Sequence, residues 1–246
     1  TIGAVVQRWD WSRSQRRDGE VAIVGNFFDR HEADCRATVA ELRRLLDGIG
    51  LRAPSVLFSG EPYAALQEAV HARLQILLPY AHAQAKLFRK LGVDAVKTSL
   101  PMGLAGTERW LRRVGEAAGV AAARVDAFLA RETIGHRSAY DIARRKLGGR
   151  RFAIFAEAAR APALVATLAE AGMVPKAIGV LHFSLGGRER VERELADVFA
   201  VALPPGVIWV ENPTPDEVRA LDVDDCDVVL GTTVERQLLA RAAKPW

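Results

Sequence analysis

The chain has 246 residues, of which 50% are hydrophobic and 26% charged, enough to bury one large core or two smaller ones. Its net charge of +4 is mild, and no patch of basic and aromatic residues accompanies it, which argues against a nucleic-acid partner. No apolar run approaches the length of a membrane-spanning helix and no signal peptide is recognisable, so we expect a cytoplasmic protein without a membrane partner.

The first half of the chain alternates short apolar runs with helical patterns. Residues 1–20 carry two tryptophans and no clear period, and we interpret them as an N-terminal arm. Four strand-like runs follow, each leading into a helical segment: EVAIVGNFF, APSVLFSG, RLQILLPY and VDAVKTSL. The first helical segment carries a stripe of Val39, Leu42, Leu45, Leu46 and Ile49. This alternation predicts a Rossmann-like domain over residues 21–121.

A long helix-permissive stretch over residues 122–148 separates this half from the next. It contains no proline and ends at Gly148-Gly149. Its apolar side is marked by Val125, Phe128, Leu129 and Ile134. We predict a connecting helix here, with a kink near Gly135.

The strand and helix alternation then restarts. Four more strand-like runs precede helical segments: RRFAIFAE, VPKAIGVLHFS, GVIWVEN and DVVLGTT. They predict a second Rossmann-like domain over residues 149–246, which we expect to be truncated at its C-terminal end. The predicted fold class is therefore α/β, with two Rossmann-like (flavodoxin-like) parallel-sheet domains joined by a long helix.

Ligands of such sheets bind at the carboxyl ends of the strands, so the turns there are the candidate site. The candidates from residue type and position are Tyr80, His82, Pro101, Met102, Gly103, Ser184, Gly186, Gly231, Thr232 and Thr233. Ser184 and Gly186 precede a helix whose free N–H groups are suited to an anion, although a plain turn is the favoured interpretation. His82 with Tyr80 follows a strand, where a structural histidine is the alternative.

Several chemistries find no support in the sequence. Neither a complete G-x-G-x-x-G motif nor a Walker A motif occurs, and no G-x-S-x-G elbow or pair of carboxylates indicates a hydrolytic site. Cys35 and Cys226 stand far apart, which argues against a disulfide framework and against a self-contained zinc or iron–sulfur site.

The order of these segments resembles the nitrogenase component 1 superfamily, which includes nitrogenase α and β subunits, cofactor-assembly scaffolds and dark-operative chlorophyll-pathway reductases. The resemblance covers about residues 20–246 and rests on four stretches taken in order. They are VAIVGNF with VAELRRLLDGIGL, LPYAHAQAKLFRKLG with LPMGLAGTERWLRRVGEAAG, YDIARRKLGGRRFAIFAE, and DVVLGTTVERQLLARAAKPW. The Pro-Met-Gly turn with its helix is the most specific of them.

The departures from the family pattern bear on cofactors. The family's first domain, which supplies cysteines to an iron–sulfur cluster, has no counterpart here, and QILLPYAHA stands where α-type subunits carry a cofactor-ligating cysteine. The latter feature is similar to β-type subunits. The resemblance therefore implies that this chain alone binds no cofactor, and that an iron–sulfur or other metal cluster belongs to the parent complex.

The resemblance also implies a role. Pro101-Met102-Gly103 and Gly231-Thr232-Thr233 would face a cofactor or substrate cavity. From the residues alone, a strand-to-helix corner is favoured for the first, and an ordinary helix cap explains the second equally well. The expected partners are a homologous sister subunit and an ATP-dependent iron–sulfur reductase protein. The chain would shape a cavity without being catalytic in isolation.

Two alternatives stay open at this point. One is a two-lobed small-molecule or metal-complex binding protein with a helical hinge. The other is a two-lobed transferase for activated sugars, which would require a glycine turn gripping a diphosphate, and no such turn is evident.

Overall fold

The computed structural model describes residues 2–25, 34–57, 59–181 and 187–239. The chain forms two compact units. The first comprises Thr1–Leu100 with Glu108–Arg131, and the second comprises Pro101–Thr107 with Glu132–Trp246. This division differs from the predicted domain limits, because the Pro-Met-Gly turn and the end of the long helix belong to the second unit.

The first unit is built on a four-stranded parallel sheet of order β2-β1-β3-β4. Its strands are β1 Arg17–Val24, β2 Arg52–Val56, β3 Ala72–Leu77 and β4 Asp94–Lys97. Its helices, in chain order, are α1 Ile2–Gln7, α2 Asp34–Gly48, α3 Tyr63–Gln67 and α4 Ala85–Lys90. Short 3₁₀ turns lie at Trp11–Arg13, Glu68–Val70 and Pro79–Gln84.

Burial explains this sheet. Residues 21–24 of β1 are all buried, as expected of a strand with neighbours on both sides and helices on both faces. The predicted apolar stripe of α2, from Val39 to Ile49, is buried as well. Helix packing on the apolar second half of a central strand is what the alternating sequence predicted.

The N-terminal residues differ from the predicted arm. Ile2 and Val6 share one face of α1 and are buried in the core of the first unit together with Trp9. The Trp11 ring meets the Phe88 ring edge-on, with 5.9 Å between their centroids. A six-residue helix is too short to display a period, so the sequence hid the segment's contribution to the core.

The second unit repeats the plan with a different strand order. Its parallel sheet has the order β7-β6-β5-β8. The strands are β5 Arg151–Glu157, β6 Val174–Leu181, β7 Ile208–Glu211 and β8 Val228–Leu230. The helices that follow them are α7 Ala161–Glu170, α8 Gly187–Asp197, α9 Pro215–Ala220 and α10 Thr233–Leu238. Two parallel-sheet α/β domains are thus confirmed.

Two longer helices lie between the sheets in sequence, α5 Gly103–Ala118 and α6 Ala122–Leu147. α6 runs unbroken as a helix through Gly135, the position of the predicted kink. Val125, Phe128 and Leu129 are buried as predicted, but the side chain of Ile134 is 74% exposed and does not belong to the core. None of the described helices combines the length and apolarity needed to cross a bilayer.

Candidate functional site

Each sheet has one place where the strand order reverses. In the first unit, β1 connects onward to β2 on one side and lies beside β3 on the other. In the second unit, the reversal lies between β5 and β8. Open parallel sheets bind ligands beyond the carboxyl ends of the strands at such points. Tyr80 and His82 follow β3, and Gly231-Thr232-Thr233 follow β8, so both predicted groups lie at reversal points.

The turn after β3 is held by backbone and side-chain bonds. Tyr80 and His82 lie in the 3₁₀ turn Pro79–Gln84, and both are partly buried. His82 Nε2 lies 2.9 Å from the carbonyl oxygen of Thr98, just beyond β4. Because a carbonyl only accepts, Nε2 carries the hydrogen and presents no lone pair to a metal ion.

Thr98 extends this contact into the core. Its hydroxyl oxygen accepts a 3.2 Å bond from the indole nitrogen of Trp110, a side chain that is only 1% exposed. His82, Thr98 and Trp110 therefore join the turn after β3 to the end of β4 and to the body of α5. This network gives the predicted histidine a structural anchor.

The turn after β8 forms a helix cap. Thr232 is the N-cap of α10, and its backbone N–H donates to Glu235 Oε2 at 2.7 Å. The Val234 N–H donates in return to the Thr232 hydroxyl at 3.2 Å. Gly231 lies beside β5, where a Cβ would stand 3.5 Å from the Cβ of Phe155. Glu235 is buried, so the start of α10 already holds a carboxylate.

The Pro101-Met102-Gly103 turn begins α5 and packs within the second unit. The Leu104 N–H donates to Glu170 Oε2 at 2.9 Å, and the Ala105 N–H donates to Glu170 Oε1 at 3.1 Å. A carboxylate at a helix start compensates both the free N–H groups and the helix dipole. Glu170, at the end of α7, is therefore the cap of α5.

A cavity of about 300 Å³ opens beside this turn. It is lined by Met102, Ala105, Gly106, Ala166, Ala169, Glu170, Phe199, Ala200 and Val201. Its walls are apolar residues, most of them small, with one carboxylate among them. Ala200 has a φ of +53°, a conformation that non-glycine residues rarely adopt and that tends to occur near functional sites.

Ser184 and Gly186 lie outside the described residues. The helix that follows them starts at Gly187, and its Arg188 N–H donates to Glu211 Oε1 at 3.1 Å. The Arg188 guanidinium lies 5.3 Å from the centroid of the Trp209 ring and bonds to Glu192. A carboxylate from the end of β7 thus lies where the predicted anion would sit.

A glutamate carboxylate accepts a backbone N–H bond at four of the described helix starts. The carboxylates are those of Glu170 at α5, Glu211 at α8, Glu217 at α9 and Glu235 at α10. Glu217 and Glu235 follow a threonine by three residues, a capping-box spacing that can be read from sequence. Glu170 and Glu211 come from distant elements, and no local pattern indicates them. A phosphate at these helix starts would have to displace a resident carboxylate, which disfavours the nucleotide-sugar transferase alternative.

A larger depression, of about 560 Å³, lies on the first unit between α2 and residues 59–61. Arg36, Arg43 and Arg44 line it with Asp47 and Glu61. The guanidinium of Arg43 pairs with Glu61 and donates to the Ala53 carbonyl at 2.9 Å. The sequence did not predict this depression, because the position of residues 59–61 beside α2 depends on the tertiary fold.

The resemblance found in the sequence implies a metal cluster in the parent complex, which makes the cysteine, histidine and carboxylate side chains its candidate ligands. Cys226 is 1% exposed and packs among the apolar side chains of the second core. Within the ranges that the structure describes, no three histidine, cysteine, aspartate or glutamate side chains are grouped so as to hold a metal ion.

A family model described as nitrogenase component 1 type oxidoreductase matches residues 1–246. The chain belongs to this family. The family predicted from the four sequence stretches is therefore confirmed.

Solved structures with this component 1 fold support the same architecture. "Nitrogenase Cp1 at pH 5" superposes with a TM-score of 0.76 at 14% identity, covering 99% of this chain and 54% of that one. "Nitrogenase Cp1 at pH 6.5" gives a TM-score of 0.72 at 13% identity, covering 95% of this chain and 53% of that one. The chain thus spans about half the length of these nitrogenase chains. No curated protein matches it significantly.

Proposed function

We propose that this chain is a domain pair of a nitrogenase-like component 1 subunit, from a reductase or a metallocofactor-assembly scaffold. In this role it shapes a cofactor or substrate cavity and the surface for a homologous sister subunit. The metal clusters of the complex are ligated outside this chain. The observation that carries the proposal is the match of the family model to all residues from 1 to 246.

The chemistry of the described side chains supports binding and shaping over direct catalysis. His82 donates from Nε2 to a backbone carbonyl, and the helix starts that would attract an anion already hold glutamates. In cofactor enzymes of this kind, the protein supplies position and electrostatics while the metal group supplies redox chemistry. The chain's own contribution is then the wall of a cavity.

The Pro101–Gly103 turn is the best-supported part of that wall. Met102 lines the 300 Å³ cavity, which falls at the lower end of the range for small-molecule sites. Gly231-Thr232-Thr233, Tyr80 and His82 are further proposed cavity residues, since both groups lie at the strand-order reversals of their sheets. Ser184 and Gly186 retain the role proposed from the sequence.

The proposed partners follow from the family. A homologous component 1 chain would complete the subunit pair, and an ATP-dependent iron–sulfur protein would deliver electrons to it. We place the complex in the cytoplasm. Iron–sulfur or other metal clusters are the proposed cofactors of the complex, with none bound by this chain alone.

The test is anaerobic purification of the tagged native protein from its source, followed by native mass and subunit identification. We expect a second component 1-type chain at equal stoichiometry and a visible absorbance that dithionite bleaches. A colourless protein that carries no such partner and binds a small molecule would overturn the proposal in favour of the two-lobed binding protein.

A substitution of the cavity-lining Met102 tests the proposed role of the Pro101–Gly103 turn. Met102→Trp introduces a bulky ring beside the cavity and should lower the activity of the purified complex while leaving its subunit composition unchanged. Arg113→Ala is the matched control, because Arg113 lies on the exposed face of the same helix and pairs with the neighbouring Glu116. Equal activity of the two variants would remove the turn from the proposed site.

A further inference from the structure

We propose that Glu170 is the positioning residue of the Pro101–Gly103 turn, holding the turn and the start of α5 in the conformation that lines the cavity. This inference rests on the proposed function of that turn as a cavity wall. It adds a residue that no local sequence pattern indicates, since Glu170 lies more than sixty residues away in the chain.

The contact consists of two hydrogen bonds to one carboxylate. Each oxygen of the Glu170 carboxylate accepts one backbone N–H, from Leu104 and from Ala105, at 2.9 and 3.1 Å. These are two of the N–H groups that the first turn of any helix leaves without a partner inside the helix. The sixteen-residue α5 also directs the positive end of its dipole toward this carboxylate.

Gly103 makes this contact with Glu170 possible. Its φ of +69° is left-handed, and a Cβ there would stand 2.6 Å from Glu170 Oε2 and 3.0 Å from Thr167 Oγ1. The glycine therefore serves two needs, since it permits the sharp entry into α5 and leaves room for the carboxylate. Met102, the cavity-lining residue, directly precedes it.

Glu170 is itself held in place at the end of α7. The Arg144 Nε donates to the backbone carbonyl of Glu170 at 2.7 Å. Thr167, one turn earlier, is fixed by its hydroxyl bond to the Ala163 carbonyl at 2.7 Å. The carboxylate is thus presented from an anchored helix end.

Tyr140 reports on this carboxylate. Burial and the negative charge of Glu170 raise the pKa of the Tyr140 phenol above its ordinary value. A change that removes the charge of Glu170 should therefore lower the pKa of Tyr140, and unchanged amide exchange in the core strands would separate this effect from a general loosening of the unit.

The experiment compares the full chain with Glu170→Gln, Glu170→Ala and the control Asp197→Asn, which removes an exposed carboxylate from α8. Amide hydrogen exchange at Leu104 and Ala105 is the first readout. We expect exchange at both amides to accelerate about tenfold in Glu170→Ala, the local consequence of losing a helix cap. Glu170→Gln should fall between, because an amide offers one acceptor oxygen where the carboxylate offers two.

Amides of β5 and β6, such as Ile154 and Ile178, give the reference for global opening. They should exchange at unchanged rates in Glu170→Gln, so that the effect is confined to the turn. The second readout is the spectroscopic titration of Tyr140, assigned with Tyr140→Phe. Its pKa should fall in both Glu170 variants and remain unchanged in Asp197→Asn.

The inference is overturned if exchange at Leu104 and Ala105 follows that of Ile154 in every variant, or if the Tyr140 titration is unaffected. Both readouts use the chain without partner or cluster, so they are independent of the proposed function. If the complex of the preceding section fails to form while these shifts appear, the proposed function fails and the positioning role of Glu170 stands.

Discussion

Gly25 and Ala81 are in direct contact at the strand-order reversal of the first unit. Gly25 follows β1 with a φ of +97°, and a Cβ on it would lie 2.8 Å from the Cβ of Ala81 and 2.9 Å from its backbone nitrogen. Ala81 belongs to the same 3₁₀ turn as Tyr80 and His82. The packing of this glycine thus sets how closely the turn after β3 approaches β1.

Gly25→Ala should destabilise the chain by about 2–4 kcal/mol, combining left-handed backbone strain with overpacking against Ala81. Gly119→Ala is the matched control, because Gly119 also has a positive φ, of +74°, but has open space around its Cβ position. The control should cost only about 1 kcal/mol. Urea unfolding measures both, and equal losses would show that the contact with Ala81 is unimportant.

Thr98→Val should destabilise the chain by about 1–3 kcal/mol, because it leaves the buried Trp110 indole N–H without an acceptor. In a Trp110→Phe background the same substitution should cost much less, since no donor remains to be stranded. A double-mutant cycle by urea unfolding isolates this coupling. Additive losses would mean that the hydroxyl of Thr98 contributes only through packing.

Burial raises the pKa of Glu194 to about 7, against the opposing influence of the Arg190 guanidinium one turn earlier. The unfolded chain releases this proton near the ordinary value of 4.5, so the folded state holds one more proton between these two pH values. The contribution of Glu194 to stability is therefore lost as pH rises from 4.5 to 7.

Glu194→Gln, which mimics the protonated side chain, should consequently match the native chain near pH 4.5 and exceed its stability near pH 8. The gain should be roughly 3 kcal/mol at most. Glu189→Gln, on an exposed position of the same helix, is the control for the change of residue type. A constant difference between Glu194→Gln and the native chain at all pH values contradicts this account.

Thr232→Ala should reduce stability by about 1 kcal/mol, the usual cost of losing an N-cap side chain. Thr233→Ala, at the next and equally exposed position, lacks a capping role and should be nearly neutral. Thermal unfolding of the two variants distinguishes them. Equal effects would indicate that the cap of α10 does not depend on the Thr232 hydroxyl.

The sequence was most informative where local chemistry decides the structure. The alternation of apolar runs and helical patterns predicted both parallel sheets, and the Val39–Ile49 stripe predicted the buried face of α2. The Thr-x-x-Glu spacing at Thr232 and Glu235 carries its own capping signal. In each case the interacting groups are near in sequence, so periodicity or spacing is sufficient.

The features that escaped prediction depend on distant contacts. The hydrogen bonds from Leu104 and Ala105 to Glu170 join segments far apart in the chain. The order of the strands in each sheet likewise cannot be predicted from a local sequence pattern. Ile134 has the spacing of a buried residue, but its side chain is exposed on α6. Tertiary packing decided these positions.

In the proposed function, this chain shapes a component 1 complex whose metal clusters are ligated outside this chain. The most direct measurement is iron and acid-labile sulfide per chain, determined anaerobically for the isolated full chain and for the purified native complex. On this proposal, we expect no stoichiometric iron or sulfide in the isolated chain and both in the complex. Stoichiometric iron and sulfide in the isolated chain, or their absence from the complex, would contradict it.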